Sequence, residues 1–464
     1  MFGGKAAMRR GLAAGKALEL MGLNRLVSRA SNSLTAQVAC LFRSLHQFSQ
    51  KPIIRQLFNA GLRLSSLVAK LLLTLYMGRY LGLSEMGTYG LVAAYVAIAI
   101  PLLGLRLDYV VAREIVDVQD LPLTVKMRDQ AVFYGLNYLL FAALALGATL
   151  LWPDVVGGKV VLFAVILAVS ESTSAVTSGN LIALKQPILS TALFFVRSAL
   201  WVFPVIGLGL FYPELRTANF VLGCWLAGVL FSLVVMVIIW WHLPWQAAFA
   251  TPVSWTWVRA SVKTCLPIWL GAVGAAASSN LDRFVVEYYL GRDFVGIASF
   301  YGSFLVAMIA LLQNGVIAFS YPRLVSSHKQ SDREGFRQES YKMLVQCAIS
   351  SAIMALVIGV VVPWLGHAFG RPEFADHAPV LWLMLLGVWI KSLAEGLYYV
   401  LYARHQDRAI WLGNLLLLPI ALVTSVVGVG LSGFAGIGYS AVACAIFIAL
   451  WRLYWVQQYR ERTS

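Results

Sequence analysis

Residues 80–87 read YLGLSEMG, and residues 289–296 read YLGRDFVG. Tyr80-Leu81-Gly82 recurs as Tyr289-Leu290-Gly291, and Gly87 recurs as Gly296, at an offset of 209 residues throughout. Each copy joins two long apolar runs. The chain holds twelve such runs, near 57–79, 88–110, 130–152, 159–183, 188–211, 218–241, 262–281, 294–318, 343–365, 378–402, 409–430 and 435–456. About 20 apolar residues cross ~30 Å of hydrocarbon as a helix, and helices satisfy their own backbone there. The first copy links runs 1 and 2 and the second links runs 7 and 8, so six crossings separate them and both face one side. The expectation is an all-α polytopic membrane protein with 12 transmembrane helices in two pseudo-symmetric six-helix lobes, 57–241 and 262–456. Ala112-Arg113-Glu114 and Pro322-Arg323-Leu324 follow the two copies at nearly equal distance and each opens a polar loop.

Composition agrees. Of 464 residues, 60% are hydrophobic and 12% charged, and the mean hydropathy is +0.76. A soluble chain of this length carries far more charge. The net charge of +15 would suggest nucleic acid in a soluble protein; here its placement sets orientation. Most of the 36 Lys and Arg residues fall on the side of the two termini, while the opposite loops hold only Arg79, Lys159, Arg216, Arg283, Arg292 and Arg371. By the positive-inside rule both termini are cytoplasmic. The five cysteines form no Cys-x-x-Cys and read as small hydrophobes with no metal or disulfide framework. No phosphate-binding G-x-x-x-x-G-K-[ST] occurs, so the chain carries no nucleotide motor of its own. Neither a cofactor nor a catalytic or metal site is expected.

Residues 1–56 form a basic arm in which Glu19 is the sole acid. It resembles a transit peptide or a segment lying on an anionic leaflet, and we expect a poorly ordered arm with no chemistry. Residues 242–261, rich in Trp and Pro, read as an interfacial linker, and 457–464 as a cytoplasmic tail.

Several phrases resemble a known family. They are Asn59-Ala60-Gly61-Leu62-Arg63 entering a span, Tyr80-Leu81-Gly82-x4-Gly87-x-Tyr89, and Gly104-Leu105-x-Leu107-Asp108-x4-Arg113-Glu114. Asp282-Arg283, Tyr289-Leu290-Gly291-x4-Gly296 and Tyr321-Pro322-Arg323-Leu324 complete the set. Their order and spacing resemble the Wzx-type polysaccharide flippases of the MOP exporter superfamily, which also contains the MATE exporters and lipid II flippases. The likeness spans about 55–345 and continues as span pattern to 456. It implies an inner-membrane transporter of undecaprenyl-pyrophosphate-linked oligosaccharide, with two lobes around a cavity that opens alternately to each side, working in surface polysaccharide (O-antigen or exopolysaccharide) synthesis. The implied partners are a lipid-linked anionic oligosaccharide, membrane lipids, and a polysaccharide polymerase with its chain-length regulator; nucleic acid is not one.

Charges inside spans are the candidate site, because each costs about 2.5–3.5 kcal/mol at a helix centre. Arg63 and Lys70 lie two turns apart on one face of span 1, which holds no acid. Arg63 is near enough to the membrane surface to snorkel; Lys70 is deeper. Arg197 in span 5 also lacks an acid on its helix, so a neighbouring span supplies one, Glu171 of span 4 being the candidate, or Arg197 faces the cavity. Lys391 and Glu395 are four apart and either pair or serve the cavity. The substrate-binding set is therefore Arg63, Lys70, Arg197 and Lys391, since cations replace the hydration of a phosphate. Asp282, Glu171, Asp108 and Glu395 form the ion-coupling or gating set, with structural ion pairs as the competing role. Arg283 and Glu287 are spaced to pair, whereas Arg106 and Asp108, two apart, do not face each other. Pro101, Pro204 and Pro419 fall inside spans and mark kinks.

Two rival readings remain. A MATE-type cation-coupled exporter of organic cations wants an acidic or aromatic cavity, whereas the unpaired charges of spans 1 and 5 are positive. A membrane polymerase or ligase wants long outer loops bearing polar groups. The longest here is 366–377, whose His367, Arg371, Glu373 and His377 read as a solvated loop. The protein is expected not to be an enzyme. A lipid II flippase has spans beyond twelve, and none are visible.

Overall fold

The computed structural model describes residues 52–151 and 158–463. Most of the basic arm lies outside the described residues; its last few residues, from Pro52, begin the first helix. Among the described residues there is no strand, and twelve helices are long and apolar enough to span a membrane. We number them α1 Phe58–Tyr80, α2 Leu83–Gly104, α3 Asp120–Leu151, α4 Val161–Ala183, α5 Pro187–Phe211, α6 Ala218–Trp240, α7 Trp255–Leu290, α8 Arg292–Lys329, α9 Arg333–Phe369, α10 Ala378–Ala403, α11 Asp407–Ser432 and α12 Ala435–Gln458. With an even number of crossings, α1 begins and α12 ends on one side, called proximal here; the other side is distal.

The helices pack as two lobes, α1–α6 and α7–α12, with repeated neighbours. The pairs α1·α5, α3·α4, α4·α6 and α5·α6 recur as α7·α11, α9·α10, α10·α12 and α11·α12. The lobes meet chiefly along α2 and α8, flanked by α1·α8 and α2·α7.

The repeated phrase lies in that seam. A Cβ on Gly87 of α2 would sit 2.1 Å from the Arg292 carbonyl oxygen of α8, and one on Gly296 of α8 would sit 2.2 Å from the Leu83 carbonyl oxygen of α2. The 209-residue offset maps Gly87 onto Gly296 and Leu83 onto Arg292, so the two contacts are one contact made twice across a pseudo-twofold. Glycine is required because the helices approach too closely for any side chain. Gly90 repeats the approach one turn on, against Ser299.

More of the distal end is sealed than the sequence suggested. The 366–377 loop is not merely solvated: Phe374 is fully buried and stacks on Phe300 of α8 at 4.1 Å, while the Tyr301 hydroxyl donates to the Phe374 carbonyl at 2.9 Å. Arg371 donates to the Leu81 carbonyl at 2.7 Å, tying this loop to the α1–α2 turn. An apolar sequence patch on both sides made these partners invisible in one dimension.

Irregularities also repeat. The apolar run 88–110 predicts an unbroken helix, but α2 stops at Gly104 because Leu105 (φ 44) and Arg106 (φ 56) take left-handed conformations, and a short helix Leu107–Glu114 follows. Adding the repeat offset carries 104–108 onto 313–317, and there α8 loosens into a π segment, Gln313–Ile317. Such segments mark strained or functional places in helices. A second π segment, Val196–Leu200, precedes Pro204 in α5, where the proline withholds a helical hydrogen bond. α7 extends past its apolar run: it breaks at Ser279–Leu281 and resumes as Asp282–Leu290.

The linker is clamped rather than loose. Arg128 of α3 is only 2% exposed. It donates to the carbonyls of Ala248 (2.8 Å), Thr251 (2.6 Å) and Pro252 (3.2 Å) and pairs with Asp129 at 2.7 Å. Asp129 in turn accepts from the Ser254 amide. Glu114 holds Lys126 (2.6 Å) and the Trp257 indole (2.8 Å), joining the short helix to the start of α7.

Candidate functional site

α1 carries an exposed apolar stripe, Leu64, Val68 and Leu72, suited to lipid. Asn59, Arg63, Ser66, Lys70 and Thr74, spaced by four and three residues, form a polar stripe in which Ser66 and Thr74 are buried while Arg63 and Lys70 are exposed. Ser66 and Thr74 return their hydroxyls to carbonyls one turn back, which satisfies them without a partner helix. Arg63 and Lys70 are exposed, and among the described residues neither makes an ion pair or side-chain hydrogen bond. A polar stripe of this length within a span faces water or a neighbouring lobe rather than hydrocarbon.

Lys70 lies within electrostatic range of Glu171 and Arg197. Those two residues pair as the sequence suggested: Arg197 Nη1 lies 3.0 Å from Glu171 Oε2, with both groups nearly buried. Arg197 also donates to the Glu171 carbonyl at 3.2 Å. The Trp225 indole of α6 donates to Glu171 Oε1 at 2.7 Å, and Trp225 stacks on Trp201 at 6.0 Å. Arg197 sits on the π segment of α5, which turns the guanidinium toward α4. Its Nε remains buried without a partner. Arg197 is thus a held cation, and Lys70 the available one beside it.

The second lobe holds a matching cluster with different pairing. Lys391 does not pair with Glu395 one turn away; its ammonium donates to Ser279 Oγ of α7 at 3.2 Å. Ser279 is the repeat equivalent of Lys70, so the same position of α1 and α7 faces the charged helix of each lobe. Glu395 pairs with Arg452 of α12 at 3.4 Å. Arg452 is 5% exposed and also donates to the Ala394 carbonyl and Asn414. Asp282, the first residue after the break in α7, keeps Oδ1 buried with no partner among the described residues, within electrostatic reach of Arg283 and Lys391. Arg283 and Glu287 do not pair: Arg283 donates to Asn280, and Glu287 takes Arg292 at 2.9 Å.

Tyr89 of α2 borders the first cluster, its ring centroid 6.0 Å from that of Trp225. Asp108 belongs elsewhere. It lies at the proximal break in α2, where the left-handed turn brings Arg106 within 3.6 Å of it, contrary to the helical spacing argument. The Asp108 amide donates to the Tyr134 hydroxyl oxygen at 3.3 Å.

The structure therefore gathers Lys70, Glu171 and Arg197 in one lobe and Asp282, Lys391 and Glu395 in the other, leaving Arg63 two turns proximal and Asp108 at the break. Of the carboxylates, Glu171, Glu395 and Asp108 have cationic partners, and Asp282 does not.

No known family profile matches the sequence, and no curated protein does. Solved structures match in fold. The lipid II flippase MurJ in an inward closed conformation gives a TM-score of 0.68 at 11% identity, covering 86% of this chain and 87% of that one. An inward-facing multidrug resistance MATE family transporter of the MOP superfamily gives 0.66 at 13% identity, covering 87% and 100%. A MATE protein in the bent conformation gives 0.53 at 12% identity, covering 89% and 97%. The chain has the MATE/MurJ-like fold, and it is a multi-pass membrane protein whose structural neighbours are transporters and flippases.

Proposed function

We propose that the protein is a Wzx-type flippase that carries undecaprenyl-pyrophosphate-linked oligosaccharide across the inner membrane, for surface polysaccharide synthesis, with both termini cytoplasmic. The carrying observation is Lys70: an ammonium without an ion-pair partner, on the polar stripe of α1, beside the Arg197–Glu171 pair. A pyrophosphate loses its hydration on leaving the headgroup layer, and a cation in a low-dielectric hollow replaces part of it. Arg63, on the same face and closer to the proximal surface, meets the anion first, and Lys70 receives it. The pairing of Arg197 to Glu171 gives it a positioning role, holding the cluster net positive while limiting the cost of burial. In this state the distal end is closed by the glycine seam and the Phe374 plug, so the substrate arrives from the cytoplasmic side.

Asp282 is the best placed of the carboxylates for proton or sodium coupling, since its Oδ1 is buried and unpartnered. The same acid, together with the MATE neighbours, favours the second reading, a cation-coupled exporter of small molecules. The two separate in cells lacking the native gene. Wild-type protein restores surface polysaccharide and Lys70→Arg retains it, whereas Lys70→Ala abolishes export with normal membrane insertion and leaves the lipid-linked repeat unit on the cytoplasmic face. Full export by Lys70→Ala, or efflux of cationic dyes in its place, overturns the flippase reading.

A further inference from the structure

A cavity of about 400 Å³ lies between α8 and α9 near the proximal surface, outside both charged clusters. Its polar wall is made by Arg323, Ser320, Lys342, Glu339 and Gln346. Its position is set by composition: the apolar run of α8 ends at 318 and that of α9 begins at 343, so the cavity sits where hydrocarbon gives way to headgroups. The π segment Gln313–Ile317 opens it from the α8 side, Gly315 and Val316 being part of the wall.

α9 shows what occupies it. Lys342, Gln346, Ile349, Ile353, Leu356, Val360 and Trp364 follow one another at steps of three or four residues, a single stripe along the helix. The members from Ile349 to Trp364 are all more than half exposed. From Lys342 to Trp364 the stripe is roughly 33 Å long at ~1.5 Å per residue, close to a ~30 Å hydrocarbon core, with a cation at one end and a Trp at the other as at membrane interfaces. This stripe faces acyl chains, and the cavity opens at its charged end. Within the cavity Lys342 is held 3.0 Å from Glu339 and Ser320 bonds Gln346 at 3.3 Å, while among the described residues Arg323 makes no ion pair or side-chain hydrogen bond. An anion is the missing partner, and basic pockets between spans at this depth suit lipid phosphates.

We propose that the α8–α9 cavity binds the phosphate of an anionic phospholipid of the proximal leaflet, with Arg323 as its main contact and the acyl chains along Ile349, Ile353 and Leu356. The site is independent of the flippase reading. One cation near the surface changes affinity about fivefold. The test is native mass spectrometry of the full-length purified protein titrated with phosphatidylglycerol, phosphatidylcholine or inorganic phosphate. Wild-type protein binds phosphatidylglycerol in preference to phosphatidylcholine; Arg323→Gln lowers that binding about fivefold, and Glu339→Gln raises it by freeing Lys342. Both substitutions are at solvent-accessible positions, and an unchanged circular dichroism melt confirms that each variant is folded. Ile353→Glu, in the acyl stripe, also weakens lipid binding and leaves phosphate binding unchanged. Equal binding of the two lipids, indifference to Arg323→Gln, a fall with Glu339→Gln, or inorganic phosphate bound as tightly as phosphatidylglycerol overturns the proposal.

Discussion

Replacing Gly87 and Gly296 by alanine tests whether the repeated phrase is a gate. Each new Cβ would meet a carbonyl oxygen at 2.1 or 2.2 Å, more than an ångström inside ordinary van der Waals contact, and the obstacle is helix backbone that cannot rotate away. Overpacking of this kind costs about 1–3 kcal/mol, offset by up to ~1 kcal/mol of helix propensity gained on losing glycine. The two sites share one contact and do not add independently. A net cost of about 1–2 kcal/mol falls on the distal-closed state alone, because only there do α2 and α8 touch at these points. That shifts the balance toward distal opening by roughly 5–30-fold. Spin labels at Glu214 and Asp376, on exposed distal loops of the two lobes, report the separation by double electron–electron resonance in a cysteine-free background. The double alanine variant broadens the distribution toward longer distances, whereas Gly82→Ala, in the same turn but with nothing within 4 Å of its Cβ, leaves it unchanged. Identical distributions in all three proteins would refute the reasoning.

Further outcomes follow from the charge clusters. Arg197→Ala leaves Glu171 buried without its cation and lowers stability by about 3–5 kcal/mol, read as a fall in thermal midpoint of the detergent-solubilised protein, while Lys70→Ala, which breaks no pair, leaves the midpoint within experimental error. Arg452→Ala strands Glu395 in the same way and at similar cost; if its midpoint equals wild type, the Arg452–Glu395 pair is not structural. Leu105→Gly relieves a left-handed conformation that costs a non-glycine residue about 1 kcal/mol, so this variant unfolds at a higher temperature than wild type, and a lower one contradicts the break assigned to α2.

The spans and the twofold repeat were legible because lipid imposes a long apolar run on every crossing, and because Gly87 and Gly296 cannot vary where two backbones touch. The Arg197–Glu171 pair was legible only as one of two readings, since an arginine with no acid on its own helix either takes one from a neighbouring span or faces the cavity; the structure shows the pair. Other pairings were not. Spacing of four residues makes Lys391–Glu395 and Arg283–Glu287 available, but tertiary neighbours Ser279, Arg452, Asn280 and Arg292 took those groups instead. Nothing in the sequence singled out Arg128 and Arg452, because burial depends on packing that sequence position does not reveal. Nothing in Leu105-Arg106 favours a left-handed turn, so the end of α2, and with it the Arg106–Asp108 contact, could not be read. Helices α7 to α9 outran their apolar runs because a helix need not stop where hydrocarbon does, and this moved Asp282 from a span end to the start of a further helical segment, Asp282–Leu290.

The central claim is tested most directly by reconstituting the purified protein in liposomes and following undecaprenyl-pyrophosphate-linked oligosaccharide from one leaflet to the other with an impermeant glycan-specific reagent. The account predicts protein-dependent translocation that is lost in Lys70→Ala and kept in Lys70→Arg. Translocation equal to that of protein-free liposomes, or undiminished in Lys70→Ala, would contradict it.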